Sequence, residues 1–133
     1  MTTQQKGQIA QLKVEQRAIE KGYIVSKPTT DSRYDLIIDD GNKLHRTQIK
    51  YGGGKMESGA VQVGLRRWAG DKRWETRNYK KEEVDMLLVY CPQIDKVCMI
   101  PSDLFDNKPA VQLRFEPPKH RSENSHMVEE MLW

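Results

Sequence analysis

The sequence predicts an α/β fold with a mixed β-sheet, and three observations carry that prediction. One amphipathic segment opens the chain. Short apolar runs bounded by turn residues follow it. A brief helical or turn segment, "NYKKEEVD", then separates the early runs from the late ones. The order helix, strands, short helix, strands is that of an α/β domain, and no repeat or long linker divides the 133 residues.

The elements are expected in this order. "QQKGQIAQLKVEQRAIEKGY" is an amphipathic helix with Ile9, Leu12, Ala18 and Ile19 at helical spacing and Gly22 as its C-cap. "YIVSKP" is a short strand closed by Pro28, and "TTDSR" a turn. "YDLIID" and "KLHRTQIKYG" are strands joined by the hairpin signal "DGN" at 40–42, and glycines 52–54 end the second. "GAVQVGLRRW" is another strand leading into a basic loop. "MLLVYC" and "KVCMIP" are apolar strands around the tight turn "PQID". "PSDLF" is a helical turn and "AVQLRFEPP" a last strand. Residues 119–133 are expected as a C-terminal helical tail on a single domain spanning 1–133, with Ser122 or Ser125 as N-cap of "SENSHMVEEMLW".

Composition narrows the class. Charged residues make up 31% and aromatics 8%, too much order-promoting content for a disordered chain and too polar for a membrane protein. No stretch approaches the ~20 apolar residues of a spanning helix, and "MTTQQKGQIAQ" lacks a signal-peptide apolar region, so a soluble, cytoplasmic protein is expected. Cys91 and Cys98 lie in apolar runs with no zinc-type spacing and read as buried, reduced thiols.

The net charge is only +3, but its distribution is uneven. The stretch at 66–81, "RRWAGDKRWETRNYKK", holds seven Lys or Arg residues against Asp71 and Glu75, interleaved with Trp68, Trp74 and Tyr79. Cations of this kind bind phosphates, and aromatic rings pack on sugars or bases. The plainer alternative is a solvated charged loop whose tryptophans fold back into the core.

The chemistry is expected in the hairpin. Side chains two apart on a strand share a face, so Gln48 and Lys50 point together and Ile49 points away. A turn at 40–42 makes the strands antiparallel and brings Asp35 opposite Gln48. Aspartate and an amide carbonyl offer the hard oxygen donors that Mg²⁺ takes. Such an ion stabilises charge on a phosphate and acidifies a bound water, while the lysine orients the water or offsets phosphorane charge. From spacing alone, a surface salt bridge between Asp35 and Lys50 is the commoner arrangement.

The motif "SRYDLIIDDG" followed by "TQIK" resembles the PD-(D/E)xK nuclease signature. The wider pattern, "KGQIAQLKV", "GYIVSKP", "TQIKYGG", "VDMLLVYCPQIDKVCMIP" and "LRFEPP", is similar in order to a small family of PD-(D/E)xK homing endonucleases. One member is encoded in a cyanobacterial group I intron within a tRNA gene. The resemblance covers roughly residues 6–118. It implies an αβββαβ core flanked by helices, a Mg²⁺ cofactor and cleavage of double-stranded DNA. Asp35 takes the metal-binding position, Gln48 the second ligand or orienting position, and Lys50 the catalytic lysine. Gln48 stands where most of the superfamily has Glu or Asp, which leaves a carbonyl donor with less charge.

A second departure lies in the first helix. The family pattern carries a glutamate where this chain has Gln11. Either Glu15, one helical turn later, substitutes for it, or Gln11 is an inactivating Glu-to-Gln change of the kind that traps a DNA complex. The near-isosteric exchange favours the second, and a chain that binds DNA but cuts poorly is expected.

For DNA binding the candidates are Arg33, Lys55, Gln62, Arg66, Arg67, Arg73, Trp74, Arg77, Lys80 and Lys81. Gln62, Arg66 and Arg67 would read bases from a β-ribbon in the major groove, where Arg to guanine is the commonest direct contact. Glycines 52–54 permit close approach to a backbone. His45 has no evident partner, and Asp85 is a minor candidate for site support. The resemblance implies a homotetramer, a dimer of dimers, and an apolar face of Met127, Val128, Met131 and Leu132 on the tail would suit assembly or packing on its own domain. The sequence leaves two alternatives: a Holliday-junction resolvase-like nuclease, and a catalytically silent DNA-binding protein.

Overall fold

Thr2 caps the first helix, α1 (Thr3–Glu20). Its side chain accepts the Gln5 N–H at 3.1 Å, and the Gln5 side chain accepts the Thr2 N–H at 2.8 Å, so two donors at the helix start are satisfied reciprocally. At the other end Gly22 takes φ 79°, a left-handed conformation glycine enters without strain, and the Tyr23 N–H reaches back to the Ala18 carbonyl. The computed structural model describes residues 1–69, 72–120 and 126–133, with backbone alone for 66–69 and 72–77.

After α1 come β1 (Ile24–Ser26), β2 (Leu36–Asp39), β3 (Leu44–Tyr51), β4 (Ala60–Gly64), β5 (Arg66–Ala69), β6 (Lys72–Asn78), β7 (Met86–Cys91), β8 (Lys96–Ile100), α2 (Ser102–Phe105), β9 (Ala110–Arg114) and β10 (His126–Met127), with a 3₁₀ turn at Val128–Glu130. Five strands form a mixed sheet in the order β1-β2-β3-β7-β8, in which only β3 and β7 run parallel. All six residues of β7 are buried because both faces are covered, as a central strand requires. On one face, Ala10, Val14 and Ala18 of α1 pack with Leu36, Ile38, Ile49, Met86, Leu88 and Tyr90. On the other, Leu87, Val89 and Cys91 pack with Val63, Phe105, Val111 and Leu113. These last come from α2 and a second sheet, ordered β10-β9-β4.

Several expectations need correction. Leu12 and Ile19 do not face the core; they are 55% and 68% exposed, and the buried stripe is the small-residue series Ala10, Val14, Ala18, which lets the helix lie close to the sheet. The second helix of an αβββαβ core is not present before β7 among the described residues. The crossover from β3 to β7 is made by β4, the β5–β6 pair and a turn, and the face a helix would cover is taken by the second sheet. The basic segment at 66–81 is not a loop; β5 and β6 pair as an antiparallel ribbon, with Arg67 opposite Arg77. The tail is not an α-helix where it is described. Residues 121–125, including the proposed caps Ser122 and Ser125, lie outside the described residues. From His126 on, the chain pairs in parallel with β9 and then lies along β8, with the Met99 N–H donating to the Met131 carbonyl and the Trp133 N–H to the Val97 carbonyl. Val128 is buried, so this segment packs on its own domain and covers a sheet edge.

Cys91 and Cys98 are free and buried, as expected. No described helix is long and apolar enough to cross a membrane.

Candidate active site

The β2–β3 hairpin turns through Asp40, whose carboxylate accepts the N–H groups of Asn42 and Lys43, with Gly41 at φ 93°. This turn sets the register: Leu36 pairs with Thr47, and the Asp35 N–H donates to the Thr47 carbonyl at 2.9 Å. Asp35 therefore stands opposite Gln48. The Gln48 Nε2 donates to Asp35 Oδ2 at 2.8 Å, and the Ile49 backbone N–H donates to the same oxygen at 2.9 Å. Two residues on, the Lys50 ammonium lies 5.1 Å from the centroid of the Tyr79 ring, a cation–π contact. Asp35 and Gln48 thus meet at the end of the hairpin, and Lys50 follows two residues on along β3.

From the sequence, Tyr79 is expected to pack on sugars or bases. It is buried, and its ring supports the lysine. The contact spans 29 residues of sequence, so no local signal announces it. The turn that follows Tyr79 touches the site again, where Arg33 pairs with Glu83 at 2.9 Å. Arg33 is therefore held by a carboxylate, with its side chain still 57% exposed toward solvent.

Below the site, Arg46 forms a two-pronged pair with Asp85 at 2.8 and 3.0 Å, and its Nη1 donates to the Glu82 carbonyl. Asp85 also accepts the Arg46 backbone N–H, so it ties β3 to the approach of β7 rather than facing the reacting groups. The Arg46 hydrogen bonds hold the Asp85 carboxyl below its ordinary range. A depressed folded pKa means stability that is full above the unfolded value and lost as pH falls through the folded one. We expect Asp85→Asn to cost about 1 kcal/mol at pH 7, discounted for partial exposure, and the cost to shrink as pH falls below the ordinary carboxylate range. Chemical denaturation at the two pH values checks this.

His45 does have a partner, contrary to expectation: its Nε2 lies 2.8 Å from Asp40 Oδ2 across the turn. Gly52 is needed inside the protein rather than against DNA. It is buried, and a Cβ there would meet Val89 Cγ1 at 2.8 Å.

The remaining DNA candidates spread around this centre. Lys80 and Lys81 are exposed beside Tyr79. The ribbon carrying Arg66, Arg67, Arg73, Trp74 and Arg77 is anchored at both ends, by the Leu65 N–H on the Pro109 carbonyl and by the Asn107 N–H on the Tyr79 carbonyl. Those five side chains lie outside the described residues. Lys55 is exposed and 3.9 Å from Glu57. Gln62 is on the outer face of the second sheet, opposite Gln112, and faces a cleft of about 450 Å³ away from the Lys50 side of the core.

The donor set suits a hard divalent cation. Asp35 offers a carboxylate and Gln48 an amide oxygen, which rotation about its last torsion brings to the position now held by Nε2. Magnesium is commonly held by one or two carboxylates plus water and substrate phosphate. Among the described residues no cluster of three or more His, Cys, Asp or Glu could hold a metal. Gln11 is partly buried on α1, with Glu15 one turn later on the same flank.

A family model for PD-(D/E)XK endonucleases matches residues 1–131. The solved structure of a bacterial homing endonuclease, I-Ssp6803I, is similar with a TM-score of 0.78 at 24% identity, covering 99% of this chain and 89% of that one. Likeness at that identity speaks to the fold. No curated protein matches the sequence significantly.

Proposed function

This chain belongs to the PD-(D/E)XK endonuclease family, and we propose that it is a Mg²⁺-dependent, sequence-specific double-strand DNA endonuclease of the homing type. The observation that supports this most is the Asp35–Gln48 contact with Lys50 two residues on, at the foot of a basic ribbon. Asp35 and Gln48 would hold the cation, which when bound lowers the pKa of a water and offsets phosphate charge. Lys50, propped on the Tyr79 ring, would orient the attacking water. Arg33, Lys55, Lys80, Lys81 and the ribbon residues would track phosphates, with Arg66, Arg67 and Gln62 the candidates for base edges. Cutting both strands takes two sites. We place one in each nuclease domain of a symmetric homo-oligomer, a dimer of dimers, measurable by light scattering on the purified chain.

Gln11 removes a negative charge from the helix flank, and the chain as it stands is expected to bind DNA tightly and cut slowly. The test compares it with Gln11→Glu on a randomised plasmid library in Mg²⁺, with sequenced ends, and on a four-way junction. Double-strand cuts at one sequence motif, at least about tenfold faster with Glu at 11, support the reading. Junction cutting without sequence preference makes it a resolvase. Binding without cuts by either chain makes it a silent DNA-binding protein.

A further inference from the structure

One turn meets the candidate site twice. Tyr79 closes the ribbon, and its ring lies under the Lys50 ammonium. Four residues later, Glu83 Oε1 stands 2.9 Å from Arg33 Nη1, and Arg33 lies two residues before Asp35. The same turn thus holds both Lys50 and the arginine nearest to Asp35 in the chain.

The two members of the ion pair are mounted differently. Glu83 sits on a fixed turn. Its own N–H and that of Val84 donate to the Lys80 carbonyl at 2.9 and 3.0 Å, and the Lys81 N–H donates to Asp106 Oδ1 at 2.9 Å. Arg33 belongs to the stretch 27–35 between β1 and β2, which pairs with no strand among the described residues until the Asp35 N–H reaches the Thr47 carbonyl. The Glu83 side chain is 27% exposed and that of Arg33 57%. The carboxylate is the mount and the arginine is what it holds.

An ion pair this exposed contributes little to stability, so stability alone does not account for it. A guanidinium carries five N–H donors in a planar fork. Glu83 takes one end of it, at Nη1, and more than half of the Arg33 side chain stays open to solvent. An untethered arginine loses rotamer freedom when it grips a phosphate, and a tie made beforehand lowers that cost. The pair is also nearly neutral, so it adds little to the long-range pull on DNA. Arg46 is matched first by Asp85 and more weakly by Glu83. Lys80 and Lys81, on the same turn, are exposed.

We propose that Glu83 is a positioning residue of the cleavage step. It fixes the Arg33 guanidinium for a phosphate of the strand being cut, and its charge keeps that arginine from serving loose, sequence-independent attachment. This rests on the nuclease reading above.

Binding is measured on the full chain with a random-sequence duplex over a range of salt concentrations. Cutting is measured in single turnovers, every protein carrying Gln11→Glu, on the sequence cut in the plasmid assay. Glu83→Gln is expected to cut about tenfold more slowly, because Arg33 is no longer held in place. It should bind random duplex about two- to threefold more tightly, with a salt dependence steeper by about one phosphate contact, because the released arginine joins loose attachment. Glu83→Asp keeps the charge, and should keep the salt slope and recover part of the rate. Arg33→Met should lose a similar amount of rate, and on that background Glu83→Gln should change neither rate nor slope. Unchanged rate and slope for Glu83→Gln overturn the inference and leave the nuclease reading standing. So do effects of the two substitutions that simply add, or a fall in Tm with rate and slope unchanged, the mark of a structural tie. If the Gln11→Glu chain cuts no DNA, the nuclease reading falls and this inference with it.

Discussion

Lys50→Met is expected to slow DNA cleavage about a thousandfold, equivalent to about 4 kcal/mol of transition-state stabilisation, while DNA affinity changes less than about tenfold. Methionine keeps most of the length and the apolar stem, so the packing over Tyr79 survives. What disappears is a positive charge held on a strand rather than on a loop, and a charge fixed in place before the reaction needs no reorganisation when the phosphorane forms. Single-turnover cleavage and equilibrium binding, measured on one duplex, separate the two roles. If affinity falls as far as rate, Lys50 is a ground-state phosphate contact, equally felt before and during the reaction. If the rate is unchanged, the catalytic assignment fails. Tyr79→Leu should give a smaller loss in the same direction, since it removes the support and leaves the charge.

How much of this was visible in the sequence depends on the range of the interaction. The β2–β3 hairpin was legible because its information is local. An Asp-Gly-Asn turn specifies its own backbone, and the register it sets brings Asp35 opposite Gln48 without help from the rest of the chain. The helix end at Gly22 is local in the same way, whereas the Thr2 cap, equally local, was not read. The face of α1 was misjudged for the opposite reason. Hydrophobic spacing pointed to Leu12 and Ile19, but the close approach of helix and sheet selects Ala10, Val14 and Ala18, a choice made by the partner surface. The second sheet depends on pairing between Val63 and Val111, nearly fifty residues apart, and no window of sequence contains both. The basic segment reads as a loop because its charges mask any alternation, although its backbone pairs as a ribbon. The tail illustrates a third case. Met127, Val128 and Met131 have helical spacing, yet the exposed edge of β8 offers backbone hydrogen bonds that an extended chain satisfies.

Gln48→Glu should do opposite things with and without a divalent cation. In EDTA the substitution replaces a donor 2.8 Å from Asp35 Oδ2 by a second carboxylate. The hydrogen bond is lost and two like charges share a half-buried site, for an expected cost of about 1–3 kcal/mol at pH 8. Such a pair shares its protons, so its upper apparent pKa lies above that of an unfolded glutamate. The sign follows: a folded pKa raised for an acid means the folded state gains stability as pH falls through it, and the deficit relative to the unaltered chain should narrow toward pH 5. Adding Ca²⁺ or Mg²⁺ at pH 8 should reverse the order, because the paired carboxylates then have an ion between them, and cation affinity should rise about tenfold or more. Thermal melts in EDTA and in Ca²⁺, at pH 5 and pH 8, give four numbers that test the idea together. A crossing of the two chains' stabilities between EDTA and Ca²⁺ identifies Asp35 and residue 48 as the place where the ion sits. Parallel behaviour in both conditions would make their contact a structural hydrogen bond of the hairpin, and the site of hydrolysis would then have to be sought elsewhere along the strand.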